Sequence, residues 1–128
     1  MKSIILIRHA DARSISINIT DFNRPLNKQG IIDAKLMGDI ISTKENNIDM
    51  IISSSANRAL TTAKIIANQI RFNELIEQKN IYNASENEII DMMNKFNNHL
   101  KSVVICGHNP TLHILSEKLS NQSFNQFP

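Results

Sequence analysis

Four short runs of consecutive apolar residues punctuate the chain. Ile4-Ile5-Leu6-Ile7, Asp49-Met50-Ile51-Ile52 and Val103-Val104-Ile105-Cys106 are too short for buried helices and rich in β-branched side chains. They predict strands covered on both faces. A weaker run from Glu74 to Ile81 predicts one more strand, third in chain order. Between the runs the period changes to that of a helix. Lys28 to about Ser42 predicts a helix capped by Asn27, with Ile32, Leu36, Met37 and Ile40 as its core-facing stripe. A second helix is predicted from Asn57 to Ile70, with Ala59, Ala63, Ile66 and Ile70 inward. Ser85 and Glu88 have capping-box spacing and open a third, carrying Ile89, Met92, Met93 and Phe96. The last runs from Thr111 to Leu119, with Pro110 suited to its first turn.

Strand and helix therefore alternate four times. That order predicts an α/β fold of three layers, a mostly parallel sheet with helices on both faces and right-handed crossovers. In such sheets ligands bind beyond the carboxyl ends of the strands. Residues 10 to 27 form a polar stretch with Pro25, a loop long enough to expect function in it.

Composition narrows the class. With 128 residues, a single domain over 1–128 is expected. A hydrophobic fraction of 41% and a charged fraction of 20% argue against a disordered or membrane-embedded chain. No stretch approaches the roughly 20 apolar residues of a membrane span. The four apolar residues before Arg8 are too few for a signal-peptide core, so a cytoplasmic location is expected. One cysteine excludes an internal disulfide and fits a reducing compartment. Net charge is +2 without clustered Lys or Arg, so nucleic-acid binding is not expected. No amphipathic stripe is left over for an interface, and a monomer is expected.

The polar residues just past the strand ends carry the chemistry. Arg8 and His9 follow the first strand, Arg58 the second, and His108 the fourth, while Arg24 lies in the long loop. Guanidinium forks match phosphate oxygens and stay charged at any working pH. A neutral imidazole can attack phosphorus as a covalent nucleophile. Any one of these residues alone could be a solvated charge or a hydrogen-bonded surface group. Five at one sheet edge point to phosphoryl chemistry.

These positions also carry a resemblance. Ile7-Arg8-His9-Ala10, the segment Ser53-Ser54-Ser55-Ala56-Asn57-Arg58-Ala59-Leu60-Thr61-Thr62-Ala63, and Gly107-His108-Asn109-Pro110 resemble the three motifs of the histidine phosphatase superfamily. That superfamily also contains the phosphoglycerate mutases. Arg24-Pro25-Leu26 is similar to its small bacterial phosphohistidine phosphatases of the SixA type. The resemblance runs from residue 3 to about 119 and implies a phosphoglycerate mutase-like fold. It implies His9 as a transiently phosphorylated nucleophile, Arg8 and Arg58 gripping the phosphoryl oxygens, His108 as a second pocket imidazole, and Arg24 as an added phosphate contact. Ser55 stands where the second motif has Pro, which is expected to loosen that turn. Ala10 replaces Gly in the first motif.

A carboxylic acid for protonating a leaving alkoxide is harder to find. Glu86, Glu88 and Asp11 are candidates, but Glu88 is used by the capping box and Glu86 by the charge preference of a helix's first turn. Imidazole leaves with less help than an alkoxide, so a pocket lacking the acid favours an N-phosphoryl substrate. The expected activity is a metal-independent phosphohistidine phosphatase acting on a phosphorylated protein, with no cofactor. The alternatives are a small-molecule phosphomonoesterase of the same fold and a non-catalytic phosphate-binding module. His113 and His99 read as packing or surface residues, Cys106 as an inert core thiol, and no zinc-type spacing or Gly-rich nucleotide loop is present. The chain stops at Phe127-Pro128, where the resembling family continues into a terminal strand, so either a truncated product or an unpaired sheet edge is expected.

Overall fold

The structure, a computed structural model, describes residues 3–120. It contains strands β1 (Ser3–Arg8), β2 (Ile48–Ser54), β3 (Phe72–Gln78) and β4 (Ser102–Gly107). The helices are α1 (Lys28–Lys44), α2 (Asn57–Ala67), α3 (Glu86–Asn94) and α4 (Thr111–Ser120). Single 3-10 turns lie at Asp21–Asn23 and Lys79–Ile81. The strands form one sheet in the order β1-β4-β2-β3, and every pairing is parallel. The expectation attached to Phe127-Pro128 lies outside the described residues.

Side-chain alternation explains the layers. Ile4, Met50, Ile52, Val103 and Ile105 point to one face, where they pack with Ile89 and Met93 of α3 and Leu112, Leu115 and Leu119 of α4. Ile7, Ile51, Val104 and Cys106 point to the other, against Ile41 of α1 and Ala59, Ala63 and Ile66 of α2, and Ile48 at the start of β2 packs into the same cluster. The consecutive apolar runs are thus needed because both faces are covered.

Helix α1 departs from the expectation. Its buried stripe is Gly30, Ala34, Gly38 and Ile41. Ile32, Leu36 and Ile40 are 52%, 55% and 55% exposed. Each lies two residues, about 200° of helix, from a member of the small stripe. Close approach selects that face. A Cβ at Gly30 would sit 2.0 Å from the Asp11 carbonyl oxygen, and one at Gly38 2.8 Å from Gln69 Cβ. The loop and α2 therefore press against α1 where side chains are absent. Met37 still packs at the edge of the core.

Other boundaries shift. β3 begins at Phe72 and ends at Gln78, and Lys79–Ile81 turn as a 3-10 segment instead of extending the strand. Helix α2 stops at Ala67, short of Ile70. Phe96 lies beyond the end of α3 but still packs on the core. Pro110 precedes α4, and its carbonyl accepts from Ile114 N–H at 3.0 Å. The capping box of Ser85 and Glu88 is formed, as is the Asn27 cap on Gly30 N–H.

Leu115→Ala empties a fully buried position and is expected to cost about 2–5 kcal/mol of stability. Leu36→Ser, on the exposed stripe, is expected to change it by about 0.5 kcal/mol or less. Chemical denaturation of both variants checks the reversal of the α1 face.

Candidate active site

The parallel pairing of β1 with β4 aligns Arg8 with Gly107, and His9 N–H donates to the Gly107 carbonyl at 3.0 Å. His9 and His108 thus emerge side by side from neighbouring strands, with ring centroids 5.4 Å apart. The chain after β1 is tied to α2 by Thr62, whose hydroxyl accepts from Ala10 N–H at 3.0 Å and donates to the Arg58 carbonyl at 2.7 Å. Ala10 in turn sets the His9 ring. Its carbonyl oxygen lies 2.8 Å from His9 Nδ1 and can only accept, so Nδ1 carries the proton. The lone pair is left on Nε2, and Arg58 Nε donates to that atom at 3.2 Å.

Arg58 is 6% exposed in the first turn of α2. Besides His9 it reaches into the long loop. Its Nη1 donates to the Asp21 backbone carbonyl at 2.7 Å and its Nη2 to Asp21 Oδ2 at 3.1 Å. Arg24 comes to the same carboxylate, with Nε and Nη2 each 2.9 Å from Oδ1, while its Nη1 donates to the Arg13 carbonyl at 2.9 Å. Tyr82, just after the second 3-10 turn, donates its hydroxyl to Asp21 Oδ2 at 2.5 Å. The Tyr82 ring stands edge-on to His108 and to Phe22, at centroid separations of 5.5 and 5.0 Å.

His108 Nε2 meets Ser54 Oγ at 2.8 Å. Ser54 Oγ also accepts from Ala56 N–H at 3.2 Å, which braces the turn between β2 and α2. The turn expected to be loose for want of a proline at Ser55 is held by the serine before it. His108 Nδ1 and Ser55 Oγ have no hydrogen-bond partner among the described residues.

Burial and the surrounding positive charge disfavour the protonated form of both imidazoles. Burial pushes His108 down to about 4, with Arg58 and His9 adding to the effect. Burial also lowers His9, opposed by the bond to Ala10 and aided by the charges of Arg58, Arg8 and Arg24. Asp21 is held at about 2, chiefly by the Tyr82 hydrogen bond and further by Arg58 and Arg24. Tyr82 is raised by the same carboxylate.

Four of the five residues expected at the site, His9, Arg24, Arg58 and His108, are therefore joined through contacts with one another or with Asp21 and Tyr82. Arg8 is exposed at the end of β1 and acts on His9 through its charge. The candidate acids are each paired with other groups. Glu88 closes the capping box, Glu86 pairs with Lys118 Nζ at 3.3 Å, and Asp11 accepts from Asn27 Nδ2 at 2.6 Å. His113 pairs with Glu117 on the α4 surface, and His99 is exposed. Cys106 is buried and its thiol is pushed up to about 12 by burial. Asp21, Tyr82 and Ser54 were not anticipated as site residues. The only trace of Asp21 in the sequence is its spacing of three residues from Arg24, within reach of an ion pair. No group of three or more His, Cys, Asp or Glu arranged to hold a metal is found among the described residues. Nor is any helix among them long and apolar enough to cross a membrane.

With this geometry in place, comparison with known proteins is decisive. The pattern of the histidine phosphatase superfamily (branch 1) matches residues 4–83. The chain belongs to that superfamily. It is 28% identical over 119 residues to an uncharacterised protein of Mycobacterium tuberculosis, covering 91% of this chain and 72% of that one. Its fold matches a candidate phosphohistidine phosphatase SixA from Agrobacterium tumefaciens with TM-score 0.83 and 27% identity, over 91% of this chain and 75% of that one. It also matches the protein histidine phosphatase SixA in complex with tungstate, with TM-score 0.80 and 19% identity, over 91% and 75% of the two chains. A phosphoglycerate mutase from Plasmodium falciparum shares the fold more distantly, with TM-score 0.62 and 17% identity over 94% of this chain and 76% of that one. The α/β architecture is thus phosphoglycerate mutase-like, and the activity class is that of a histidine-phosphatase-type phosphatase.

The depressed imidazoles carry a stability consequence. Unfolded, a histidine takes up its proton near pH 6.5, whereas folded His108 resists until about 4. Between those values acid favours the unfolded chain. The melting temperature is expected to fall as pH drops from 6.5 towards 4, and His108→Asn to flatten that slope. Thermal melts across this range provide the check.

Proposed function

We propose that this chain is a metal-independent phosphatase that removes the phosphoryl group from phosphohistidine carried on a protein, through a phospho-His9 intermediate. The observation that carries the substrate class is the state of the site's carboxylate. Asp21 is held at about 2 and has no proton to give at neutral pH. Glu86, Glu88 and Asp11 are each bonded to groups other than the imidazoles. An alkoxide leaving group needs such a proton, and general-acid catalysis supplies about 10²–10⁴-fold. A phosphorylated imidazole departs with less help.

In this reading the substrate ring carries a proton on its other nitrogen, His9 Nε2 attacks phosphorus as the bond to the substrate nitrogen breaks, and the substrate leaves as neutral imidazole while His9 keeps its proton on Nδ1. Water then attacks phosphorus and breaks the bond to Nε2; both of its protons go to the released orthophosphate, and His9 returns neutral with its proton on Nδ1. Arg8, Arg24 and Arg58 balance the charge on the phosphoryl oxygens, and His108 offers a neutral ring nitrogen beside them. The Ala10 carbonyl keeps Nε2 unprotonated between turnovers. A protein-borne substrate is supported by the long loop that supplies Asp21 and Arg24. It also exposes Ile15 and Ile17, apolar area of the kind a partner covers. The phosphatase is proposed to act as a cytoplasmic monomer on a histidine phosphotransfer or sensor-kinase type of substrate.

His9→Ala is expected to reduce phosphoramidate and phosphoimidazole hydrolysis by about 10³-fold or more. Rapid quench of the unaltered enzyme should trap acid-labile phosphate on His9, and a chelator should leave the rate unchanged. Turnover of sugar phosphates faster than phosphoimidazole would instead indicate a phosphomonoesterase. Normal activity of His9→Ala would overturn the mechanism.

A further inference from the structure

We propose that the Asp21 carboxylate is a built-in occupant of the phosphoryl seat. It holds the donors of Arg24, Arg58 and Tyr82 until a phosphoryl group exchanges with it. The inference rests on the reading of the site as a phosphoryl-transfer centre and assigns a role to a residue that none of the three superfamily motifs contains.

The donor inventory carries the argument. One carboxylate takes two nitrogens of Arg24 on Oδ1, and Arg58 Nη2 and Tyr82 Oη on Oδ2. A forked, doubly cationic arrangement of this kind is what a phosphoryl group needs. The seat also lies at the reacting atom. The guanidinium that donates from Nη2 to Asp21 donates from Nε to His9 Nε2, so nucleophile and carboxylate share one planar group. A phosphoryl group poised for attack by Nε2 and gripped by Arg24 and Arg58 competes with Asp21 for the same N–H groups.

The carboxylate is also free to leave. Asp21 begins a single 3-10 turn with no buried residue, and its side chain is 37% exposed, so a side-chain rotation carries it to solvent. Its backbone carbonyl can keep the bond to Arg58 Nη1 during that rotation, holding the loop in place. Exchange matters because the product of phosphoryl hydrolysis is orthophosphate. A seat of bare arginines would retain it. A resident carboxylate raises the affinity an anion must have to enter and helps expel the product. Asp21 is in this sense a specificity-determining residue, selecting a group that also engages His9 over free phosphate.

The alternative role is a fixed strut that aligns the two arginines, and the two roles predict opposite signs. Orthophosphate binding is measured by calorimetry on the full chain for the unaltered protein, Asp21→Asn, Asp21→Ala and Asp11→Asn, with melting curves confirming that each is folded. The occupant role predicts that both Asp21 variants bind orthophosphate about tenfold more tightly or better. It predicts a much smaller change for Asp11→Asn, which removes one charge from the same loop but touches neither arginine. Unchanged or weaker binding by the Asp21 variants overturns the proposal, as does equal tightening by Asp11→Asn. Phosphoramidate hydrolysis by the unaltered protein reports separately on the catalytic reading, so the two can fail independently.

Discussion

A guanidinium that is 6% exposed must find partners for its N–H groups inside the protein, and Arg58 finds them in two segments distant in sequence. One is the imidazole just after β1, the other the loop turn at Asp21. A buried charge without such partners costs several kcal/mol, so any group that displaces one of them must satisfy the same N–H donors. Arg24 and Tyr82 donate to the same Asp21 carboxylate, so it links both arginines and the tyrosine. Burial, and after it the same concentration of positive charge, lowers the tendency of His9 and His108 to take up a proton.

The sheet makes this convergence geometrically cheap. Four parallel strands present all their carboxyl ends at one edge, and the order β1-β4-β2-β3 makes the strands preceding His9 and His108 direct neighbours. Local hydrogen bonds then refine what topology places roughly. Thr62 ties the Ala10 peptide to α2, Ala10 selects the His9 tautomer, and Ser54 holds His108 while bracing its own turn. Packing against the long loop depends on α1 having no side chain at Gly30, where Asp11 approaches.

Much of this was legible from residue order. The alternation of apolar runs with helical periods located every strand and α-helix among the described residues, and the positions just past the strands marked His9, Arg58 and His108. The misreadings have specific causes. On α1, period-4 spacing is satisfied by Ile32-Leu36-Ile40 and by Gly30-Ala34-Gly38 alike. Hydrophobicity favours the first, while close approach of the loop and α2 selects the second. Asp21 and Tyr82 sit in irregular segments with no period to report orientation. An aspartate in a polar loop looks solvated until the partners that surround it are known.

The sequence by itself determined the α/β class, the parallel sheet and the edge at which the chemistry gathers. Those depend on local periodicity and on the rule that parallel strands bury both faces. It also marked which imidazoles and guanidiniums stand at that edge. Only the tertiary structure decided which nitrogen of His9 holds the lone pair, which face of α1 is buried, and that a carboxylate rests among the arginines. Each of these is set by atoms brought within hydrogen-bond or van der Waals distance from far along the chain: Ala10 by Thr62, Gly30 by Asp11, and Asp21 by Arg58 and Tyr82. Such contacts act over about 3 Å, and residue order carries no signal for them until the fold closes.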